Sequence, residues 1–181
     1  MSNSIVELLE AYPIVEEKEL PKYKIYCDMD GVLTDFEARF EHFSGMSPKE
    51  YESKKGIKAF WHLIDEEVGV KFWSEMEWMP QGLRLWKFIS KYNPDILTSP
   101  SRDTKSRIGK NEWVKKHIID TPKVIFAYSK NKQNYANENS ILIDDKPSNI
   151  AEWKQAGGIA IKCKNGDVST VINKLKELGY E

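Results

Sequence analysis

Cysteine is scarce: Cys27 and Cys163 are the only two in 181 residues, too few for a disulfide framework, and they read as reduced core thiols suited to a cytoplasmic location. Excess charge is lacking too. With 27 basic against 28 acidic residues the net charge is −1, so no basic field is available to hold a duplex, which argues against long nucleic acid as the main partner. No apolar run approaches the roughly 20 residues of a membrane span, and Met1 to Leu20 has no basic start followed by a long apolar stretch. A soluble, non-exported chain with no membrane partner is expected. Internal repeats and low-complexity tracts are also missing. The length exceeds a minimal core but falls short of two ordinary domains, so one core with one small insertion is expected, and a homodimer is left open.

What is present concentrates on Lys24 to Asp35, KIYCDMDGVLTD, a short apolar run that carries three carboxylates into a turn. A strand here puts Ile25 and Cys27 on one face and stops at Gly31, which turns freely. Asp28 and Asp30 then emerge at a strand's carboxyl end, the edge where α/β sheets bind ligands. Three readings of this Asp-x-Asp pair compete. An EF-hand fails, because Leu33 occupies the sixth loop position, where glycine is needed, and Arg39 the twelfth, where a glutamate is needed. A metal-only clamp survives but explains nothing downstream. A nucleophile with an acid/base partner demands a phosphate-binding hydroxyl, a lysine and further acids, each at the end of a later strand.

Those follow in order. Tyr92 to Pro100 is a short strand signal ending in the hydroxyls of Thr98 and Ser99 and a proline; Lys130 and Lys132 follow a strand candidate at Val124 to Ala127; Ser140 to Pro147 runs an apolar strand into Asp144 and Asp145. In this order the sequence resembles the haloacid dehalogenase (HAD) superfamily phosphatases, and DMDGVLTDFE, LTSP and LIDDKP resemble more narrowly the 5'(3')-deoxyribonucleotidase branch. The similarity runs from about Tyr23 to Ile161.

The remaining chain fits a body with an insertion. Ser4 to Tyr12 has a capping-box start and one apolar face, predicting a short helix, with a charged connector to Lys22; residues 1–22 form this leading piece. Residues 23–35 and 80–181 form the core domain. Residues 36–79 form a helical cap, with Phe36, Phe40 and Phe43 at helical spacing, a Ser47-Pro48 start, and many rings. Helices are expected over Leu83 to Ile89, through Trp113 to Ile118, over Pro147 to Ala156 and over Val168 to Leu178, with strands at Ile141 to Ile143 and Ile159 to Ile161. The fold class is α/β, a Rossmann-like doubly wound parallel sheet with a small helical cap inserted after the first strand.

The resemblance implies site roles. Asp28 is the nucleophile and Asp30 the general acid/base, a role that suits a carboxyl crowded by other acids. Thr98, Ser99, Lys132 and Lys110 bind the phosphate, with Lys130 a rival to Lys132. Mg²⁺ is the implied cofactor, held by the Asp28 carboxylate, the Asp30 carbonyl and Asp145, with Asp144 one layer behind. Phe36, Phe60 and Trp61 lie against the substrate, with Trp73 a rival to Trp61; a stacked base gains roughly 1–3 kcal/mol. The implied activity is Mg²⁺-dependent hydrolysis of nucleoside, chiefly deoxyribonucleoside, monophosphates through an aspartyl-phosphate. Alternatives are another small phosphate ester or a polynucleotide end as substrate, or a non-catalytic binding module on the same fold.

Overall fold

A computed structural model describes residues 22–181. The helix expected over Ser4 to Tyr12 lies outside the described residues. Five strands, β1 (Lys24–Cys27), β2 (Asp95–Thr98), β3 (Val124–Phe126), β4 (Ser140–Asp144) and β5 (Ile159–Lys162), form one sheet in the order β3-β2-β1-β4-β5. All neighbours are parallel. Parallel strands need crossovers, and the chain supplies a helical one each time except between β3 and β4, where a 3₁₀ segment, Ser129–Tyr135, suffices. β2 and β4 are buried along their whole length, which is why DILT and SILID lack the alternation of a half-exposed strand.

The winding reverses at β1. From β1 the chain moves outward to β2 and β3, then returns to place β4 on β1's other side, opening a crevice at the strands' carboxyl ends. Register aligns that edge: Cys27 pairs with Ile143 and with Ile96, so Asp28 and Asp144 leave adjacent strands side by side.

Between β1 and β2 the chain builds the cap. Its entry and exit are tied together, since Met79 N–H donates to Leu33 O at 2.8 Å and Asp35 N–H to Glu77 O at 2.9 Å. Helix α1 (Phe36–Ser44) starts because the Asp35 carboxylate accepts from Ala38 N–H, and it stops at the left-handed Gly45. Helix α2 (Pro48–Lys55) has Ser47 as its cap and proline in its first turn. Helix α3 (Ile57–His62) runs into a π-helical turn over Leu63–Val68, and α4 (Val70–Ser74) closes the cap.

Most of the cap's rings pack on each other. Phe40 stacks on Phe60 with centroids 4.6 Å apart, Phe36 meets Phe72 at 5.3 Å, and Phe72 meets Trp73 at 5.1 Å. Phe43, expected on the same inward face, is 39 % exposed under Arg39 instead. This ring cluster is continuous with the body's core, so the cap is fused to the sheet rather than hinged over it.

The body's helices are α5 (Gly82–Ile89), α6 (Thr104–His117), α7 (Pro147–Gln155) and α8 (Val168–Glu177). α6 supports the cap directly. Its Trp113 indole donates to Met76 O at 2.7 Å, and Gly109 lies so near α4 that an added Cβ would fall 2.5 Å from Val70 O and 2.6 Å from Trp73 Cβ. The polar run before α6 also reaches across, with Lys105 Nζ 2.7 Å from Asp65 O and Ser101 Oγ donating to the buried Asp65 carboxylate at 2.9 Å.

Candidate active site

Asp28 is carried one residue past β1, its own N–H still bonded to Ile143 O at 2.8 Å. The chain then tightens into a loop in which Met29 O accepts from the N–H groups of Val32, Leu33 and Thr34. Gly31 has a φ of +77° there, and a Cβ on it would sit 2.7 Å from Asp145 Oδ2; only glycine lets this loop approach the second acidic pair. The third acid of the motif, Asp35, caps α1, its carboxylate accepting from Ala38 N–H, and lines a cavity shared with Asp30 and Asp145.

The side chains of Asp28, Asp144 and Asp145 converge, with one oxygen from each lying within 4.8 Å of the others. Lys132, 1 % exposed, bridges two of them: its ammonium is 2.8 Å from Asp28 Oδ1 and 2.7 Å from Asp144 Oδ2. Burial pushes the Lys132 pKa down, but Asp28 and Asp144 outweigh it, and the ammonium stays charged above the usual lysine range. Asp144 is fully buried and also accepts from Asn149 Nδ2 on both oxygens, at 3.0 and 2.9 Å, and from Lys146 N–H at 2.9 Å. Asn149 is held in turn by the Ser129 hydroxyl.

Among the described residues, no cation forms an ion pair with Asp145. Burial first, then the negative charges of Asp28 and Asp144, push its carboxyl up to about 7. Three hard oxygen donors crowded together with uncompensated repulsion are what a divalent cation of the Mg²⁺ type relieves, so the donor set fits such an ion. The Asp30 side chain is not in this group.

Asp30 instead lies beside Lys110, at 2.5 Å, and accepts from the Thr34 hydroxyl at 3.2 Å. The crowd of acids expected around Asp30 is therefore not found; its near neighbour is a cation. Lys110, wholly buried on α6, also donates to Thr98 Oγ1 and to Ser99 O, each at 2.8 Å, and lies 4.9 Å from the centre of the Trp73 ring. Thr98 ends β2 and is itself buried, so its hydroxyl is aimed by Lys110. Lys130 is separated from Lys132 by the turn: it is exposed and lines the cleft mouth.

That cleft, about 800 Å³, runs from Asp30 between cap and body past Phe36, Trp61 and Trp73 on one side and Ser99 to Arg102 and Tyr128 to Lys130 on the other. Phe60, expected against the substrate with Trp61, does not line it. Its ring is 7 % exposed because it is spent on Phe40 in the cap's core, one helical position away from the face Trp61 presents. On Asp30's other flank a smaller cavity of about 330 Å³ reaches Gly31, Asp145, Met79 and Lys162. Sequence reasoning missed Asn149, whose only signal was its place four residues after Asp145, and it missed Tyr128 and Arg102.

No family model matches the chain, and no curated protein matches it. Solved structures do. A candidate phosphoglycolate phosphatase from Lactobacillus plantarum is 15 % identical over 87 % of this chain and 99 % of its own, with a TM-score of 0.53. A hydrolase from Pseudomonas syringae is 14 % identical over the same shares, with a TM-score of 0.51. A dehalogenase crystallised as an intermediate complex is 10 % identical over 80 % of this chain and 85 % of its own, also with a TM-score of 0.51. The fold is HAD-like, a Rossmann-type parallel sheet with its cap after the first strand.

Proposed function

We propose that this chain is a Mg²⁺-dependent phosphomonoesterase acting on nucleoside monophosphates, with deoxyribonucleotides foremost, through an aspartyl-phosphate. One observation carries the reading: Lys132 bridges Asp28 and Asp144 inside a three-carboxylate cluster, while Asp30, two residues from Asp28, is held apart from that cluster on a separate lysine. Two carboxylates with unlike neighbours at one strand end suit two roles.

Asp28, Asp144 and Asp145 would hold the cation, which supplies charge to neutralise the phosphate dianion. Lys132 keeps the Asp28 carboxylate aimed while itself offering a donor to a phosphoryl oxygen. Asp28 attacks phosphorus; the new Asp28 O–P bond forms as the ester P–O bond breaks, and Asp30 gives its proton to the departing oxygen. In the second half water attacks phosphorus, Asp30 takes its proton, and inorganic phosphate leaves with Asp28 restored. The Thr98 hydroxyl and Lys110 stabilise charge on the transferred group.

The ring-lined cleft above Asp30 supports a nucleoside as the leaving part, since Phe36, Trp61, Trp73 and Tyr128 offer faces or edges to a flat base. The test is phosphate release from a panel of ribo- and deoxyribonucleoside monophosphates, sugar phosphates and a 5'-phosphorylated oligonucleotide, with Mg²⁺ or with EDTA. Release from deoxyribonucleotides that disappears with EDTA and in Asp28→Asn is expected. Turnover of sugar phosphates alone moves the substrate elsewhere, and no release from any ester leaves a binding module.

A further inference from the structure

The cleft does not end at the rings. A second cavity of about 680 Å³ shares Trp61, Pro100, Ser101, Arg102 and Tyr128 with the first and continues to Ile57, Lys58 and Asp65. The two make one channel leading outward from Asp30 between α3 and the loop that follows β2. Its outer reach carries Ile57, Trp61 and Tyr128 with 48, 38 and 42 % of their surfaces exposed, an apolar floor open at one end.

The charge along this channel is uneven. The acids that line it are already engaged: Asp30 is paired with Lys110, and Asp65 accepts from Ser101 Oγ at 2.9 Å. The cations that line it are Lys130 on the first cavity, Arg102 where the two cavities overlap and Lys58 on the second. Among the described residues, none of the three forms an ion pair or a side-chain hydrogen bond, although the chain as a whole carries a net charge of −1 with abundant acids. Lys105, by contrast, two residues before Arg107 on the same stretch, is tied to Glu66 and Asp65. Uncompensated cations along the wall of a channel focus a positive field there.

We propose that the stretch where the two cavities overlap binds a second phosphate of the substrate, with Arg102 and Lys130 as its principal contacts and Lys58 at the outer margin. The inference rests on the phosphatase reading above and deepens it: the preferred ligand is a nucleoside that carries the ester to be cleaved at Asp28 and another phosphate, a monoester or a diester, where the two cavities overlap. Arg102 offers a planar fork to phosphate oxygens and Lys130 a mobile point charge. A cleft of this volume has room for more than a single ester group. The rings between the two phosphate positions hold the nucleoside that joins them.

Binding tests this without relying on turnover. Asp28→Asn protein with Mg²⁺ is titrated with thymidine 5'-monophosphate, thymidine 3',5'-bisphosphate and the 5'-phosphorylated dinucleotide of thymidine, read by tryptophan fluorescence, and the titrations are repeated with Arg102→Ala/Lys130→Ala added. The bisphosphate is expected to bind at least tenfold more tightly than the monophosphate, with an advantage that shrinks as salt rises and falls below twofold in the added double variant. If the dinucleotide shares the advantage, the second phosphate is read as a diester; if only the bisphosphate has it, as a monoester. Equal affinities for all three ligands, or an advantage that survives loss of both cations, overturns the proposal. Phosphate release by the wild-type chain is measured separately: its absence overturns the hydrolase reading, whereas release with equal affinities overturns only the second-phosphate site.

Discussion

Lys110 Nζ lies 2.5 Å from Asp30 Oδ2, with the lysine side chain wholly buried and the aspartate side chain 25 % exposed. The same ammonium holds Thr98 Oγ1 and Ser99 O, so one cation orders the Asp30 carboxylate and the Thr98 hydroxyl together.

Lys110→Met keeps the stem and removes the charge, leaving Asp30 and Thr98 without their shared donor. Phosphate release is expected to fall by about 10²-fold or more, in line with loss of one oriented donor to a transferred group. Stability should fall by on the order of 2 kcal/mol, less than the ~3–5 of a fully buried broken pair because Asp30 keeps some contact with solvent. Lys110→Arg should not rescue, since a planar guanidinium differs in shape from the wholly buried ammonium that meets Asp30, Thr98 and Ser99 at once. Wild-type turnover in Lys110→Met would mean that the lysine only fills a hole.

Asn149→Ala leaves both Asp144 oxygens short of a donor and frees the carboxylate that steadies Lys132. Residues that position metal ligands through a hydrogen bond typically cost about 10–100-fold in metal affinity when lost. Titrating Mg²⁺ into the activity assay should show a higher half-saturating concentration, with maximal rate at saturating Mg²⁺ less affected. An unchanged Mg²⁺ requirement would remove Asn149 from the site.

Gly109→Ala tests whether the cap is fixed to the body. The new Cβ would press on Val70 O and Trp73 Cβ, both of which belong to α4. Overfilling such a contact costs about 1–3 kcal/mol. Because Trp73 also faces Lys110 and lines the cleft, KM should rise along with the loss of stability in urea unfolding. A stable variant with unchanged KM would show that α4 can slide freely over α6.

Much of this was legible because strand ends and chemistry coincide. The apolar runs before Asp28, Thr98 and Asp144 are short and bounded by turn residues, the last two buried on both faces, so their order alone led to a parallel sheet and to one edge for all the acids. What stayed hidden depends on rotation about helices and on contacts across the cap. Phe60 and Trp61 are adjacent, and only the packing of α3 on α1 decides which ring is spent on the core. The resemblance singles out Lys110 as a phosphate-binding lysine, but its basic run does not show that its place on α6 aims it at Asp30 from 80 residues away in the chain. The split of Lys130 from Lys132 is likewise set by a 3₁₀ turn that buries one and exposes the other.

Asp145 makes pH a probe of the metal. Its carboxyl is pushed from 3.8 to about 7 in the fold, so the folded state binds this proton more tightly than the unfolded chain does. The resulting stability is fully present below about pH 4 and is lost as pH rises through about 7; the upper limit of that loss is ~4 kcal/mol for this group. A divalent cation competes with the proton for the same crowded carboxylates and favours their ionised forms. Thermal unfolding should therefore show almost no Mg²⁺ effect on Tm near pH 4.5 and a rise at pH 7.5, where the metal-free fold carries the repulsion. Asp145→Asn removes the charge instead of screening it: without metal its Tm at pH 7.5 should exceed that of the wild type, and its response to Mg²⁺ should nearly vanish. A Mg²⁺ shift equal at both pH values, or one retained in Asp145→Asn, would place the ion away from this cluster.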